Sequence, residues 1–113
     1  MQPNPKPDPG IANMGKSEII AKLVRYKQLL SQHLDIREVI LYGSYATGKA
    51  REDSDIDVAI VVDQIKGDYF SVTPMLWRIR RQVDERIEPL LFEIGKDSSG
   101  FLSEITQYGI VIQ

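Results

Sequence analysis

The stretch from Ile56 to Val62 reads Ile-Asp-Val-Ala-Ile-Val-Val, almost continuously apolar and interrupted only by Asp57. A strand wetted on one face alternates apolar with polar residues, whereas a run like this one requires cover on both faces. The chain must therefore provide further layers, and helices are the elements it has to do so. Ile19, Ile20, Leu23, Tyr26, Leu30 and Leu34 recur at spacings of three and four, which predicts a helix from about Ser17, its N-cap, to His33. Val72, Leu76, Ile79 and Val83 form a second stripe, with Thr73 as cap and Pro74 at the first helical position. Arg78, Arg80, Arg81, Asp84 and Glu85 fall on its outer side.

Shorter elements fill the intervals. Arg37–Tyr42 and Ile87–Phe92 read as strands, and the segment Asp63–Tyr69 as a loop. Asp97 or Ser98 caps a last helix that buries Phe101, Leu102 and Ile105 and ends at Gly109. Ile110-Val111-Ile112 adds a short final strand. The order α-β-(short α)-β-α-β-α-β describes an α/β (α+β) fold, a small mixed sheet flanked by helices. Pro89 inside the third strand marks it as an edge strand or a bulge, because proline has no N–H to give to a central ladder.

A length of 113 residues suits one domain. Pro3, Pro5, Pro7 and Pro9 alternate with polar residues, so residues 1–15 are expected to be an extended or disordered tail and residues 16–113 the folded domain. The chain has no cysteine, which excludes a disulfide framework and a thiolate zinc site and fits a cytoplasmic location. Neither a membrane-spanning run nor a signal-peptide pattern is expected. A net charge of −2 argues against direct nucleic-acid binding through a broad basic face. His33 is the only histidine and has no second histidine or cysteine to support a catalytic role; its place near a helix C-terminus suits the helix dipole.

Chemistry concentrates between residues 43 and 57. Asp55 and Asp57 flank Ile56 at the start of a strand, so both carboxylates point to one side and Ile56 to the other. Two adjacent carboxylates repel, and a hard cation such as Mg²⁺ or Mn²⁺ relieves the repulsion. Gly43-Ser44 directly follows an apolar strand. Glycine lets the backbone approach a phosphate, serine adds a hydroxyl, and the amides opening the next helix face an anion. Lys49 and Arg51 add positive charge nearby. If the two strands are neighbours, a metal pair and a phosphate cradle share one site, which is the arrangement phosphoryl-type transfer needs.

Gly43-Ser44, ten residues, then Asp55-Ile56-Asp57 resembles the signature of the DNA polymerase β-type nucleotidyltransferase superfamily. The segments Leu41–Gly48 and Ser54–Ile60 are similar to its minimal nucleotidyltransferase (MNT) branch, and the likeness extends over about residues 17–113. The resemblance implies a nucleotidyltransferase fold and Mg²⁺-dependent transfer of AMP from ATP to a hydroxyl. It implies a HEPN-domain toxin as partner, with the chain as an MntA-like antitoxin that adenylylates a tyrosine of the toxin. It also implies a third carboxylate that shares the metal and takes the proton of the attacking hydroxyl. Glu88 and Glu93 are the two positions able to supply it; Glu88 sits at the mouth of the strand, and Glu93, five residues on, points to the other face of a regular strand. Thr47 stands where relatives often carry arginine, so Lys49 or Arg51 would have to supply that charge.

The competing reading is a non-catalytic binding module that neutralises its partner by contact. So short a chain has no second domain to grip a small acceptor, which favours a protein acceptor and a homo- or hetero-oligomer. Tyr69, Phe70, Met75 and Trp77 gather at the start of the second long helix beside Arg78, Arg80 and Arg81. Leu76 and at least one of these aromatics are expected to be buried.

Overall fold

The computed structural model describes the backbone of residues 9–113 and the side chains of residues 15–113. In chain order the elements are α1 (Pro9–Leu30), β1 (Ile36–Tyr42), α2 (Ser44–Thr47), β2 (Ile56–Val62), α3 (Tyr69–Ile79), β3 (Ile87–Glu93), α4 (Phe101–Tyr108) and β4 (Ile110–Val111). The apolar run is β2, with the bounds expected of it, and it lies inside the sheet. The order is β3-β2-β1-β4. β1 pairs antiparallel with β2 and with β4, while β2 and β3 run parallel. The sheet is thus mixed, and β3, the strand that carries Pro89, is an edge.

Both faces of β2 are covered, as its composition demands. Side chains alternate along a strand, so Val39, Leu41, Ile56, Val58 and Ile60 meet Ile19, Leu23, Tyr26 and Leu30 of α1 and Leu76 and Ile79 of α3. Ile40, Tyr42, Ala59 and Val61 point the other way, onto Ile105 of α4, with Phe92, Phe101 and Leu102 packed around them. The Tyr26 ring is wholly buried, and its hydroxyl donates to the Leu76 carbonyl at 2.7 Å, which ties α1 to α3 and satisfies the polar atom. Burial pushes the Tyr26 phenol well above its ordinary pKa.

Several boundaries differ from expectation. The first helix begins at Pro9 and ends at Leu30, so Ser17 is interior rather than a cap and residues 9–15 are helical rather than extended. Proline is well tolerated in a first turn, where its missing N–H has no intrahelical partner anyway. The part of the expected tail formed by residues 1–8 lies outside the described residues. Helix α3 starts one turn before Thr73, because the Asp68 carboxylate accepts the Phe70 N–H at 3.0 Å and caps it there. It ends at Ile79 in a short 3₁₀ turn, Arg80–Gln82, which removes Asp84 and Glu85 from the helix. None of Tyr69, Phe70 and Trp77 is buried, contrary to expectation, whereas Leu76 is. At α4 the Ser99 hydroxyl accepts the Phe101 N–H and the Asp97 carboxylate accepts the Leu102 N–H, so Asp97 serves the helix start from outside it. No helix among the described residues is long and apolar enough to cross a membrane.

Candidate functional site

The antiparallel pairing of β1 and β2 sets Tyr42 opposite Asp57, so the end of one strand and the start of the other meet at one end of the sheet. The parallel pairing of β2 and β3 sets Asp57 opposite Glu88. Paired residues share a face, and that face is the one covered by α4. Ile56 lies wholly buried in the opposite layer, as the alternation requires. Asp55 precedes Asp57 by two residues, and its carboxylate comes within hydrogen-bonding reach of Glu88. The structure therefore brings Asp55, Asp57 and Glu88 together. Glu93 is not part of the group: it pairs with Val62 at the far end of β2 and forms an ion pair with Lys96 at 3.0 Å.

Crowding leaves a mark on these acids. The Asp57 pKa is raised by burial and then by the Asp55 charge. The Glu88 pKa is raised first by its shared hydrogen bond with Asp55, then by burial and by the charges of Asp55 and Asp57, with Arg80 opposing. Two remedies exist for such repulsion, a proton or a cation. The donors are all carboxylate oxygens, which suits a hard divalent ion. Among the described residues no three acidic, histidine or cysteine groups already form a closed metal cage.

Gly43 fixes what lies above them. Its φ of 73° and ψ of −150° are open to glycine and strained for other residues, and a Cβ there would collide with Oδ2 of Asp57. The turn thus rests directly against the Asp57 carboxylate, with the space a side chain would occupy left to that group. Ser44 opens α2, whose first amides have no intrahelical acceptors. The helix is a single turn, so local N–H groups rather than a macrodipole are what it offers an anion. Thr47 spends its hydroxyl on the Gly43 carbonyl at 3.2 Å. Lys49 is exposed just beyond the turn. Arg51 is exposed as well, but it lines a different hollow, of about 870 Å³, with Lys16, Tyr45 and Arg86; Gly43, Ser44 and the carboxylates are not among its walls.

The sequence reading missed two contributors. Tyr42 is buried opposite Asp57 and stacks edge-on against Phe101 at 5.6 Å. Its phenol is pushed up to about 12 by burial and by the nearby charges of Asp57, Tyr108 and Glu88, so Tyr42 borders the acids. Tyr42 was findable, because pairing β1 with β2 as a hairpin places the last residue of one beside the first acid of the other. The second contributor is Arg86. It donates to the Glu52 carbonyl at 2.6 Å and to the Tyr45 hydroxyl at 3.0 Å, and it pairs with Asp84, which also holds Lys22 of α1 at 2.9 Å. The Arg86 carbonyl accepts the Ile56 N–H at 2.9 Å. These bonds pin the loop that delivers Asp55 to the strand that delivers Glu88. No sequence motif announces a network spread over residues so far apart.

Residues 25–113 match the family described as Polymerase beta, Nucleotidyltransferase. The chain belongs to this nucleotidyltransferase family. Among relatives, a Methanocaldococcus jannaschii protein provisionally named as a protein adenylyltransferase is 30% identical over 99 residues, which is 84% of this chain and 99% of that protein. Protein adenylyltransferase MntA of Thermococcus cleftensis is 34% identical over 55 residues, and that match spans only about half of each chain, 49% of this one and 56% of the other. The chain is accordingly a nucleotidyltransferase similar to protein adenylyltransferases. In fold, a protein of Sulfolobus solfataricus provisionally described as a nucleotidyltransferase superposes with a TM-score of 0.65 at 16% identity, covering 88% of this chain and 84% of that one. A toxin–antitoxin structure with AMP-PNP superposes with a TM-score of 0.62 at 18% identity, covering 83% and 72% respectively. The three clustered acids and the Gly43 turn thus lie in a nucleotidyltransferase domain.

Proposed function

We propose that this nucleotidyltransferase transfers AMP from ATP to a tyrosine hydroxyl on a HEPN-type toxin, and so acts as the antitoxin of a cytoplasmic pair. The observation that carries the reading is the register that sets Asp57 beside Glu88, beneath a Gly43 turn with no room for a side chain. Similarity to proteins named as protein adenylyltransferases and to a toxin–antitoxin structure supports the choice of a protein acceptor.

In this reading Asp55, Asp57 and Glu88 hold Mg²⁺ or Mn²⁺, which when bound neutralises phosphate oxygens as charge develops on them. The backbone of Gly43 and the hydroxyl and amide of Ser44 hold the triphosphate, and exposed Lys49 answers its charge. Arg51 contributes through the neighbouring hollow. The tyrosine oxygen attacks the α-phosphate in line, a new oxygen–phosphorus bond forms, the bond to the β-phosphate oxygen breaks, and pyrophosphate leaves. Glu88, opposite Asp57 in the β2–β3 register, takes the phenolic proton.

A second reading draws on Thr47, whose hydroxyl is committed to the Gly43 carbonyl and adds no positive charge at the turn. On that reading the chain neutralises its partner by contact, with a weakened site. One experiment separates the two. The protein is incubated with ATP labelled at the α-phosphate, Mg²⁺ and the HEPN-type product of a neighbouring gene. Label on a partner tyrosine, lost in Asp55→Ala with Asp57→Ala, is the expected result. Tight binding with no label supports contact alone.

A further inference from the structure

We infer that Arg80 is a positioning residue for the acid cluster: its guanidinium holds the start of β3 so that the Glu88 carboxylate can share a divalent ion with Asp55 and Asp57. The inference rests on the metal site proposed above and adds what sets one of its three acids in place. Nη1 of Arg80 donates to the Glu85 carbonyl and to the Ile87 carbonyl, the latter at 3.0 Å. The Arg80 carbonyl in turn accepts the Val83 N–H at 2.9 Å and the Asp84 N–H at 2.8 Å. One residue, through backbone and side chain together, ties both ends of the link from α3 to β3.

The ladder shows why Glu88 needs that tie. In a parallel pair alternate residues turn their backbone groups to the same side. The Arg86 carbonyl accepts the Ile56 N–H at 2.9 Å, so residue 86 faces β2 and residue 87 faces away from it. β3 is an edge, and no strand of the sheet lies on that outer side. There the Ile87 N–H donates to the Asp84 carbonyl at 3.2 Å, and the Ile87 carbonyl is held by Arg80. Pro89, the next residue to turn outward, has no N–H. Glu88 thus sits between a residue tied by Arg80 and one that cannot donate at all.

Arg80 makes these bonds at a cost. Among the described residues it has no carboxylate within ion-pair distance, and its Nε is buried without an acceptor. A buried donor left unpaired lowers stability, so an apolar residue would fill the same space more cheaply. The guanidinium lies over the Trp77 ring, 4.6 Å from its centroid, which limits how the plane can turn and fixes the direction of Nη1. Its charge is felt at Glu88, where it opposes the rise in pKa without a hydrogen bond between the two side chains. Arg80 therefore acts on Glu88 through the backbone. Geometry and charge have opposite signs here. A cation near the acids repels a divalent ion, so loss of the charge alone would tighten metal binding, whereas loss of the backbone tie loosens it.

Mn²⁺ binding to the whole protein, without ATP or partner, reads the difference by water-proton relaxation. Arg80→Met keeps an apolar stem beside Trp77 and removes the donors; Arg80→Lys keeps the charge on a side chain that ends short of Nη1. Arg80→Met is expected to weaken Mn²⁺ binding about tenfold or more, although it removes a repelling charge, and Arg80→Lys to weaken it by a smaller factor. Exchange of the Glu88 amide is expected to quicken roughly tenfold in Arg80→Met, while the Val58 and Ile60 amides of β2 hold. Unchanged or tighter Mn²⁺ binding in Arg80→Met overturns the inference. So does equal quickening at Glu88, Val58 and Ile60, which marks a loss of overall stability instead of a local release. Should Arg80→Met not fold, Arg80→Lys decides: weaker Mn²⁺ binding at unchanged charge supports the inference and equal binding overturns it. Binding that ignores Arg80 sinks the inference alone, and no Mn²⁺ binding by the wild type sinks the metal reading with it. Arg80-dependent binding without adenylylation of a partner sinks the transfer reading alone.

Discussion

One face of the sheet is covered by two long elements, α1 and α3, and the other by the eight residues of α4. The first face is sealed: Leu23, Tyr26, Leu30, Ile56, Ile60 and Leu76 are wholly buried, and the one polar tip among them is satisfied. The second is half covered. Ile105 closes over Ile40, Ala59 and Val61, but at the end beyond them the sheet presents Asp55, Asp57 and Glu88, with the pKa values of Asp57 and Glu88 raised. The same alternation that sends Ile56 into the sealed layer sends its two acidic neighbours into the open one. Stability and chemistry are thus carried by opposite faces of one strand, and crowded carboxylates are tolerable only where the cover ends.

If that division is right, the faces respond oppositely to substitution. Asp55→Asn with Asp57→Asn is expected to reduce adenylyl transfer at least roughly a thousandfold, about 4 kcal/mol of barrier, while the melting temperature holds or rises. Leu23→Ala in the sealed face is expected to lower stability by about 2–5 kcal/mol and leave turnover per folded molecule unchanged. A melting temperature that falls in the first variant as far as in the second would erase the contrast.

Gly43→Ala sharpens it, since the added methyl meets the Asp57 carboxylate in a positive-φ turn. Transfer is expected to fall about a hundredfold, with a stability loss of about 1–3 kcal/mol from strain, read by steady-state kinetics and chemical denaturation. Glu88→Gln is expected to slow transfer about tenfold to a hundredfold, and Glu93→Gln less than about twofold. Equal effects would mean that β3 shifts its register in solution.

The smallest effect is on the pH dependence of stability without metal. Raised carboxyl pKa values favour the protonated folded state, so stability tied to Asp57 and Glu88 is fully present below the ordinary carboxylate range. It is lost as pH rises through their raised values. Asp84 has the reverse sign: its hydrogen bonds with Arg86 hold it well below the ordinary range, so its contribution is present above that range and is lost as pH falls. Asp57→Asn should flatten the first limb of a melting-temperature profile and Asp84→Asn the second.

Much of the site was legible in the sequence because it rests on local rules. The apolar run around Asp57 demanded burial on both faces, strand alternation separated Ile56 from its acidic neighbours, and Pro89 announced an edge. The choice of Glu88 over Glu93 needed the register between β2 and β3, which parallel strands joined through α3 do not reveal. Asp68 displaced Thr73 as a cap because several residues at that boundary can serve, and the one that does depends on where the chain leaves β2. The Arg86 network was illegible for a different reason. Its partners Lys22, Tyr45, Glu52 and Asp84 lie on four separate stretches that only the folded chain brings together.

The central claim is that the open face, at the carboxylate end, holds a divalent ion beneath the Gly43 turn. Titration with paramagnetic Mn²⁺ in the presence of a nonhydrolysable ATP analogue, followed by amide signals, tests it most directly. Signals of Gly43, Ser44, Asp57 and Glu88 are expected to broaden first, those of α1 and α3 to persist, and Asp55→Asn with Asp57→Asn to abolish the effect. Broadening centred on Lys16, Arg51 and Arg86, or broadening that survives the double substitution, would contradict the account.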